Sequence, residues 1–328
     1  YPLRRQRQMC IRDRNVTVYL NAAGNTSITT ADIDNGSSDI CGTPTLSLNV
    51  STFPCSKVGA NTVYLIATDA NNNIDSAMAT VTVIDTTKPV VNTQNVTVYL
   101  DAAGNASIAT ADIDNGSSDI CGTPTLSLDI SSFSCAEVGA NTVYLIATDV
   151  NGNIDSAMAT VAVLDTIKPV VITQNVTVYL DASGNASITT ADIDNGSSDI
   201  CGTPTLILNI SSFTCSEVGA NTIYLIATDV NNNVDSAMAI ITVIDTIKPT
   251  VITQPVIVYL DATGAASITT ADVDNGTTDI CGAPTLSLDI SSFSCAEVGA
   301  NTVYLIATDA NNNIDSAMAT VTVIDTTK

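Results

Sequence analysis

Asn141-Thr-Val-Tyr-Leu-Ile-Ala-Thr-Asp-Val-Asn-Gly-Asn-Ile-Asp155 runs from an apolar strand into a polar turn. Val143, Leu145 and Ala147 alternate with Tyr144 and Ile146, so both faces of Thr142–Thr148 are apolar, as in a central strand. Asp149–Asp155 is rich in Asn, Asp and Gly, the residues that turn a chain. Beyond it Ala157, Ala159, Val161 and Val163 line one face of a closing strand. Upstream, Val96, Val98 and Leu100 alternate, Asp101–Asn105 turns, and Ala106–Thr110 forms a short strand around Ile108. Asp112–Asp119 is a long polar loop, after which Leu126, Leu128 and Ile130 alternate again. Period-two alternation predicts six or seven short strands, and no segment shows helical periodicity. The expectation is an all-β sandwich of immunoglobulin type.

The same text recurs every 80 residues, with copies of this stretch starting at Asn61, Asn221 and Asn301. Asp85-Thr-Thr-Lys-Pro89, Asp165-Thr-Ile-Lys-Pro169 and Asp245-Thr-Ile-Lys-Pro249 mark the joints. A unit of that length is a small domain rather than one turn of a solenoid. The predicted organisation is a tandem array of four immunoglobulin-like β-sandwich repeats: 15–88, with a truncated start, then 89–168, 169–248 and 249–328.

Residues 1–14, YPLRRQRQMCIRDR, hold all five arginines and replace the opening seen at Pro89–Gln94. They resemble translated sequencing-adapter text of metagenomic reads and are expected to be non-native. The chain stops at Lys328 within another linker, so a fragment with more repeats on both sides is expected. Without the first fourteen residues, 5 lysines face 32 acids, a net charge near −27. So acidic a surface repels nucleic acid and anionic membranes and attracts cations. No apolar run reaches the roughly 18–20 residues of a membrane helix, so membrane insertion is not expected.

Each repeat carries two cysteines, 14 residues apart. An even count at regular spacing suggests a bridge inside each unit: Cys41–Cys55, Cys121–Cys135, Cys201–Cys215 and Cys281–Cys295. Metal is the rival use, but two thiols with no His cannot complete a tetrahedral zinc site within one repeat. Bridges place the chain in an extracellular, oxidising setting.

If the strands run as in an immunoglobulin sandwich, the loops Asp112–Asp119 and Asp149–Asp155 lie at one pole, where the linker with Asp85 arrives. Three acidic segments then converge on each joint, and DxNxNxD has the alternating oxygens of calcium loops. The candidate Ca²⁺ ligands are Asp34, Asp39, Asp69 and Asn71 in the first repeat, and Asp85, Asp114, Asp119, Asp149 and Asn151 around the second. Their equivalents are Asp165, Asp194, Asp199, Asp229 and Asn231, then Asp245, Asp274, Asp279, Asp309 and Asn311. The competing explanation is plain acidic turns, which need no metal.

The order Asp-Thr-x-Lys-Pro, Asp-x-Cys-Gly, Val-Gly-x-Asn-Thr-Val and Ala-Thr-Asp-x-Asn-x-Asn resembles the hyalin-type (HYR) and related immunoglobulin-like repeats of large bacterial surface adhesins. The resemblance covers residues 15–328 and implies a secreted or cell-surface spacer. A host, substrate-surface or glycan ligand would then be met by regions outside this segment, and the partners here would be neighbouring repeats. The chain lacks the cysteines of the fullest hyalin pattern in its first and last strands. Two other functions are possible: repeats that themselves bind carbohydrate or a host surface, and an accessory region of an extracellular enzyme. Tyr99 and its equivalents point off the core face, but no Trp is present to build a sugar platform. With no His there is no triad, and Asp112 and Asp114 lack an aromatic cleft, so catalysis is not expected.

Overall fold

The structure, a computed structural model, describes residues 9–326. The chain divides into two compact units, Tyr1–Asp165 and Thr166–Lys328. Each unit holds two sandwiches of about 80 residues, and all four sandwiches have the same topology.

In the first repeat the strands are β1 (Val16–Tyr19), β2 (Asn25–Ser27), β3 (Thr45–Leu48), β4 (Thr52–Pro54), β5 (Gly59–Thr68) and β6 (Ile74–Ile84). One sheet has the order β1-β6-β5-β3 and the other is the pair β2-β4. β5 and β6 are a long antiparallel hairpin, and β1 lies parallel to β6 with Val16 opposite Val81. This closes the first strand onto the last. β5 is central, yet only one of its faces is covered. Val63, Leu65 and Ala67 are fully buried, while Tyr64 is exposed.

The core between the sheets is small and aliphatic, with one aromatic. Phe53 packs with Ile28, Ile33, Val63, Leu65, Val81 and Val83. Phe213 and Phe293 occupy the same place in the third and fourth repeats. The tyrosines do not help: Tyr64, Tyr144, Tyr224 and Tyr304 all face outward.

The polar loop after β2 is not wholly loop. Thr30–Ile33 makes one helical turn (α1), repeated at Thr110–Ile113, Thr190–Ile193 and Thr270–Val273. Four residues are too few to display a 3.6-residue period, which is why alternation alone gave no sign of it. The turn is fixed at its start. The Thr189 N–H and hydroxyl both donate to the Asp192 carboxylate at 2.7 Å. Thr29–Asp32 and Thr269–Asp272 repeat this. In the second repeat Ala109 offers only its N–H, at 2.7 Å from Asp112.

These bonds hold the Asp192 and Asp272 carboxyls below the usual carboxylate range, through the threonine hydroxyl first and its N–H second; for Asp32 the Thr29 N–H comes first. A carboxyl depressed in the folded state contributes stability above its unfolded value, about pH 4, and loses it as pH falls through the folded value. Melting temperature is therefore expected to drop below about pH 4, although net charge shrinks toward the sequence pI of about 4.1. Asp192→Asn should flatten that acid limb of a thermal-melt series. An unchanged limb would show that the caps are not its source.

The described part of the opening segment joins its repeat through backbone pairs. Cys10 pairs with Ser38 and Asp13 with Asp34, as Val90 pairs with Ser118 and Thr93 with Asp114. Backbone bonds do not depend on side-chain identity, so this foreign-looking segment makes the same two isolated bridges ahead of β1 that Val90 and Thr93 make in the second repeat. Residues 1–8, with most of the arginines, lie outside the described residues.

Candidate junction site

Strand register sets which loops share an end. β5 starts at Gly59 opposite Val83 and finishes at Thr68, which faces Thr45 at the start of β3. Cys41 therefore lies at the Thr68 end, the N-terminal pole. Asn25 pairs with Pro54, next to the end of β1 where Tyr19 faces Ile84. Cys55 therefore lies at the opposite, C-terminal pole.

This corrects the expected bridges. Fourteen residues separate Cys41 from Cys55 in sequence, but the sandwich stands between them. Cys55 is bonded instead to Cys121 of the next repeat, 66 residues on, with Cα atoms 5.2 Å apart. Cys215 is bonded to Cys281 in the same way. Cys41 and Cys295 are exposed free thiols, so none of the pairs Cys41–Cys55, Cys121–Cys135, Cys201–Cys215 and Cys281–Cys295 forms. Cys135 and Cys201 are disulfide-bonded as well.

The bridge is seated over a glycine. Gly24 has φ +72°, and a Cβ there would stand 2.8 Å from the Cys55 sulfur and 3.1 Å from Ile120. Gly184 repeats this against Cys215 and Ile280. The positive φ and the sulfur's approach both require glycine. Cys121 also packs on the core of the first repeat, and Cys281 on that of the third.

Beside each bridge the acids converge. One carboxylate oxygen of Asp85, one of Asp119 and the Cys121 sulfur lie within 4.8 Å of one another, as do those of Asp245, Asp279 and Cys281. Asp85 and Asp245 are 5% and 4% exposed. One oxygen of each acid is used locally. Thr87 N–H donates to Asp85 Oδ1 at 3.0 Å, and Cys121 N–H to Asp119 Oδ2 at 2.8 Å. The other oxygens, Asp85 Oδ2 and Asp119 Oδ1, are buried with no hydrogen-bond donor, and so are Asp245 Oδ2 and Asp279 Oδ1. A buried carboxylate beside a half-buried one, each with a buried oxygen lacking a donor, is costly unless a cation joins them. Lys88, the nearby base, instead reaches Asp155 at 4.0 Å. The group can hold a metal ion through oxygen. The cysteine sulfur is committed to its bridge and no His exists in the chain, which removes the soft donors zinc prefers.

The third acidic segment takes a supporting place. Asp149 Oδ1 accepts from the N–H groups of Asn151 and Asn153, at 2.9 and 2.7 Å, and Oδ2 from Asn153 Nδ2 at 2.7 Å. Asn153 Nδ2 also reaches the Asp85 carbonyl at 3.3 Å, and Asn313 does the same at Asp245, at 3.2 Å. Asp149 and Asp309 thus shape the loop that grips the linker. Asp69 makes the same loop bonds to Asn71 and Asn73, and Asp229 to Asn231 and Asn233. The Asn231 Oδ1 is buried without a donor. Asn311, like Asn151, contributes an N–H to its loop.

Asp34, Asp114, Asp194 and Asp274 stand outside these groups. Each accepts at 2.9 Å from the N–H three residues on, in Ser37, Ser117, Ser197 and Thr277. Those partners hold the four carboxyls below the usual range, the side chain counting before the backbone. They are turn acids. In the first repeat, Asp39 and Asp69 line one small cleft together with Cys41 and Asn71. Asp165 closes the first unit, and the Cys201 N–H donates to Asp199 Oδ2 at 2.8 Å.

No protein-family model and no curated protein matches this chain. Solved structures that share the tandem-sandwich fold include protocadherin gamma B7 extracellular cadherin domains 1–4, at 12% identity, covering 95% of this chain and 100% of that one with a TM-score of 0.33. Sidekick-1 immunoglobulin domains 1–5 match at 11% identity over 97% and 81%, TM-score 0.32. A titin I-band fragment, I67–I69, matches at 12% identity over 73% and 99%, TM-score 0.39. These likenesses concern the fold alone.

Proposed function

We propose that this chain is a spacer segment of a secreted or cell-surface adhesin, of the bacterial hyalin-repeat kind, in which the two repeats of each unit are locked by calcium and by a disulfide at their joint. One observation carries the cation: Asp85 and Asp119, whose carboxylates approach within 4.8 Å of each other, each keep a buried oxygen without a donor, and Asp245 and Asp279 repeat this. Calcium takes six to eight oxygens in adaptable geometry, from carboxylates, carbonyls and water. Magnesium demands a tighter octahedron and gives up its water reluctantly, so the two ions are separated by direct comparison of their binding. The inter-repeat bridges suit an oxidising exterior. Binding of a surface or glycan falls to parts of the protein other than these repeats.

Titration calorimetry tests the cation. The wild-type chain should bind Ca²⁺ at roughly 10⁻⁴–10⁻³ M, the range of extracellular modules. Asp85→Asn with Asp245→Asn should remove binding at those two junctions. Equal heats from the two proteins would place any bound calcium elsewhere, and no heat from either would remove the cation from the account.

A further inference from the structure

One tight turn carries both locks of a joint. Asp119, Ile120, Cys121 and Gly122 close on themselves through the pairing of Asp119 with Gly122, and Asp279 pairs with Gly282 in the same way. Within the turn the Cys121 N–H donates to Asp119 Oδ2 at 2.8 Å, as the Cys281 N–H does to Asp279 Oδ2. The backbone of the cysteine thus orients the carboxylate. Its side chain meanwhile is bonded across the joint, Cys121 to Cys55 and Cys281 to Cys215. The Cys121 sulfur lies within 4.8 Å of one oxygen of Asp119 and one of Asp85. Ser118, just before the turn, pairs with Val90 inside the second repeat. Cys121, packed on the core of the first repeat, and Ile120, set against the Gly24 turn, carry the turn onto its neighbour. Asp85 is fixed by other means: the Thr87 N–H holds its Oδ1, and Asn153 reaches its carbonyl.

Given calcium at the Asp85–Asp119 and Asp245–Asp279 pairs, as proposed above, we infer that each disulfide is a positioning element of its cation site, so that bridge and Ca²⁺ stabilise one another. The oxidised joint binds Ca²⁺ more tightly than the reduced one, and bound Ca²⁺ makes the bridge harder to reduce. The sign follows from the ligands. With the bridge made, Asp119 is already held beside Asp85, and the cost of bringing two like charges together has been met before the ion arrives. With the bridge broken, the turn that carries Asp119 loses its covalent tie to the first repeat. The released thiol gives nothing back, because Ca²⁺ takes oxygen ligands rather than sulfur. Linkage is reciprocal, so the factor by which the bridge tightens Ca²⁺ is the factor by which Ca²⁺ protects the bridge. Couplings between sites span about 5–150-fold, and about tenfold is expected here. For a two-electron couple, tenfold lowers the bridge's reduction potential by about 30 mV.

The test equilibrates the whole chain in buffers of reduced and oxidised dithiothreitol, in saturating Ca²⁺ and in EDTA. One dithiothreitol is oxidised to its cyclic disulfide for each protein bridge reduced to two thiols. Free thiols are then alkylated, and peptide mapping reads the reduced fraction at Cys55–Cys121 and at Cys215–Cys281 separately. In Ca²⁺ both bridges should need an about tenfold higher ratio of reduced to oxidised dithiothreitol for half reduction. Asp85→Asn should abolish that shift at Cys55–Cys121 and keep it at Cys215–Cys281, which a general stabilisation of the chain would not do. The second joint of the same molecule also reports that the variant is folded. Half-reduction points that coincide in Ca²⁺ and EDTA, while calorimetry of the oxidised chain shows calcium bound, would overturn the linkage and leave the cation sites standing. A shift at Cys55–Cys121 that survives Asp85→Asn would overturn it too. Coincident points with no calcium heat would remove the sites and the linkage together.

Discussion

Phe53→Ala should unfold its repeat at ambient temperature or leave it barely folded. Removing a buried phenylalanine side chain costs about 3–5 kcal/mol. A domain of this size has only about 0.05–0.15 kcal/mol of stability per residue to lose. Phe53 is 1% exposed and is the one aromatic in a core otherwise made of Ile, Leu, Val and Ala. It also sits on β4, whose only sheet partner is the three-residue β2. Losing its packing therefore loosens the two-stranded sheet that covers the core, and little else can collapse into the space. In scanning calorimetry a separate early transition should appear for the altered repeat. Tyr64→Ala, on the exposed face, should cost under about 1 kcal/mol, as surface changes do. A cost for Phe53→Ala below about 1.5 kcal/mol would mean that this core is not organised around the phenylalanine.

The second large effect belongs to the bridge. Cys55 and Cys121 close a loop of 66 residues, worth about 4 kcal/mol in the chain-entropy model. The loop contains β5 and β6 of the first repeat and the leading strands of the second, so it ties the unfolding of two repeats together. Replacing both cysteines by serine should lower the melting temperature of that pair and separate one shared transition into two. The bridges expected from sequence spacing alone would behave otherwise. A bridge within one repeat would lower its own stability on removal and leave its neighbour's transition in place. A peptide map of the unreduced protein reads the same difference directly, as a Cys55–Cys121 peptide rather than Cys41–Cys55.

That bridge marks where the sequence stopped being legible. The period, the strands and the two-sheet arrangement follow from alternation and from turn residues, because each depends on neighbours in the chain. The pole at which loops gather also follows once the strands are counted, and Asp85, Asp119 and the Asp149 loop do meet there. Disulfide partners do not follow, because nearness in sequence is not nearness in space. The register puts Cys41 and Cys55 at opposite ends, and only the joint brings Cys55 to Cys121. The roles of individual acids were hidden for a related reason. Asp114 and Asp119 belong to the same polar loop, yet one accepts from the Ser117 turn and the other keeps an oxygen free at the joint. Nothing in residue type separates them. The one-turn helix was missed because its signal is a cap, Thr29 to Asp32, rather than a period.

The central claim is that the joints are acid pairs completed by calcium, and thermal melting of the oxidised chain tests it most directly. In millimolar Ca²⁺ each site should add about 1 kcal/mol, raising the melting temperature by a few degrees over EDTA. Mg²⁺ at the same concentration should give much less, and Asp85→Asn with Asp245→Asn should reduce the Ca²⁺ gain. Superimposable melts of the wild-type protein in Ca²⁺, Mg²⁺ and EDTA would contradict the claim and leave the disulfides as the only lock between repeats.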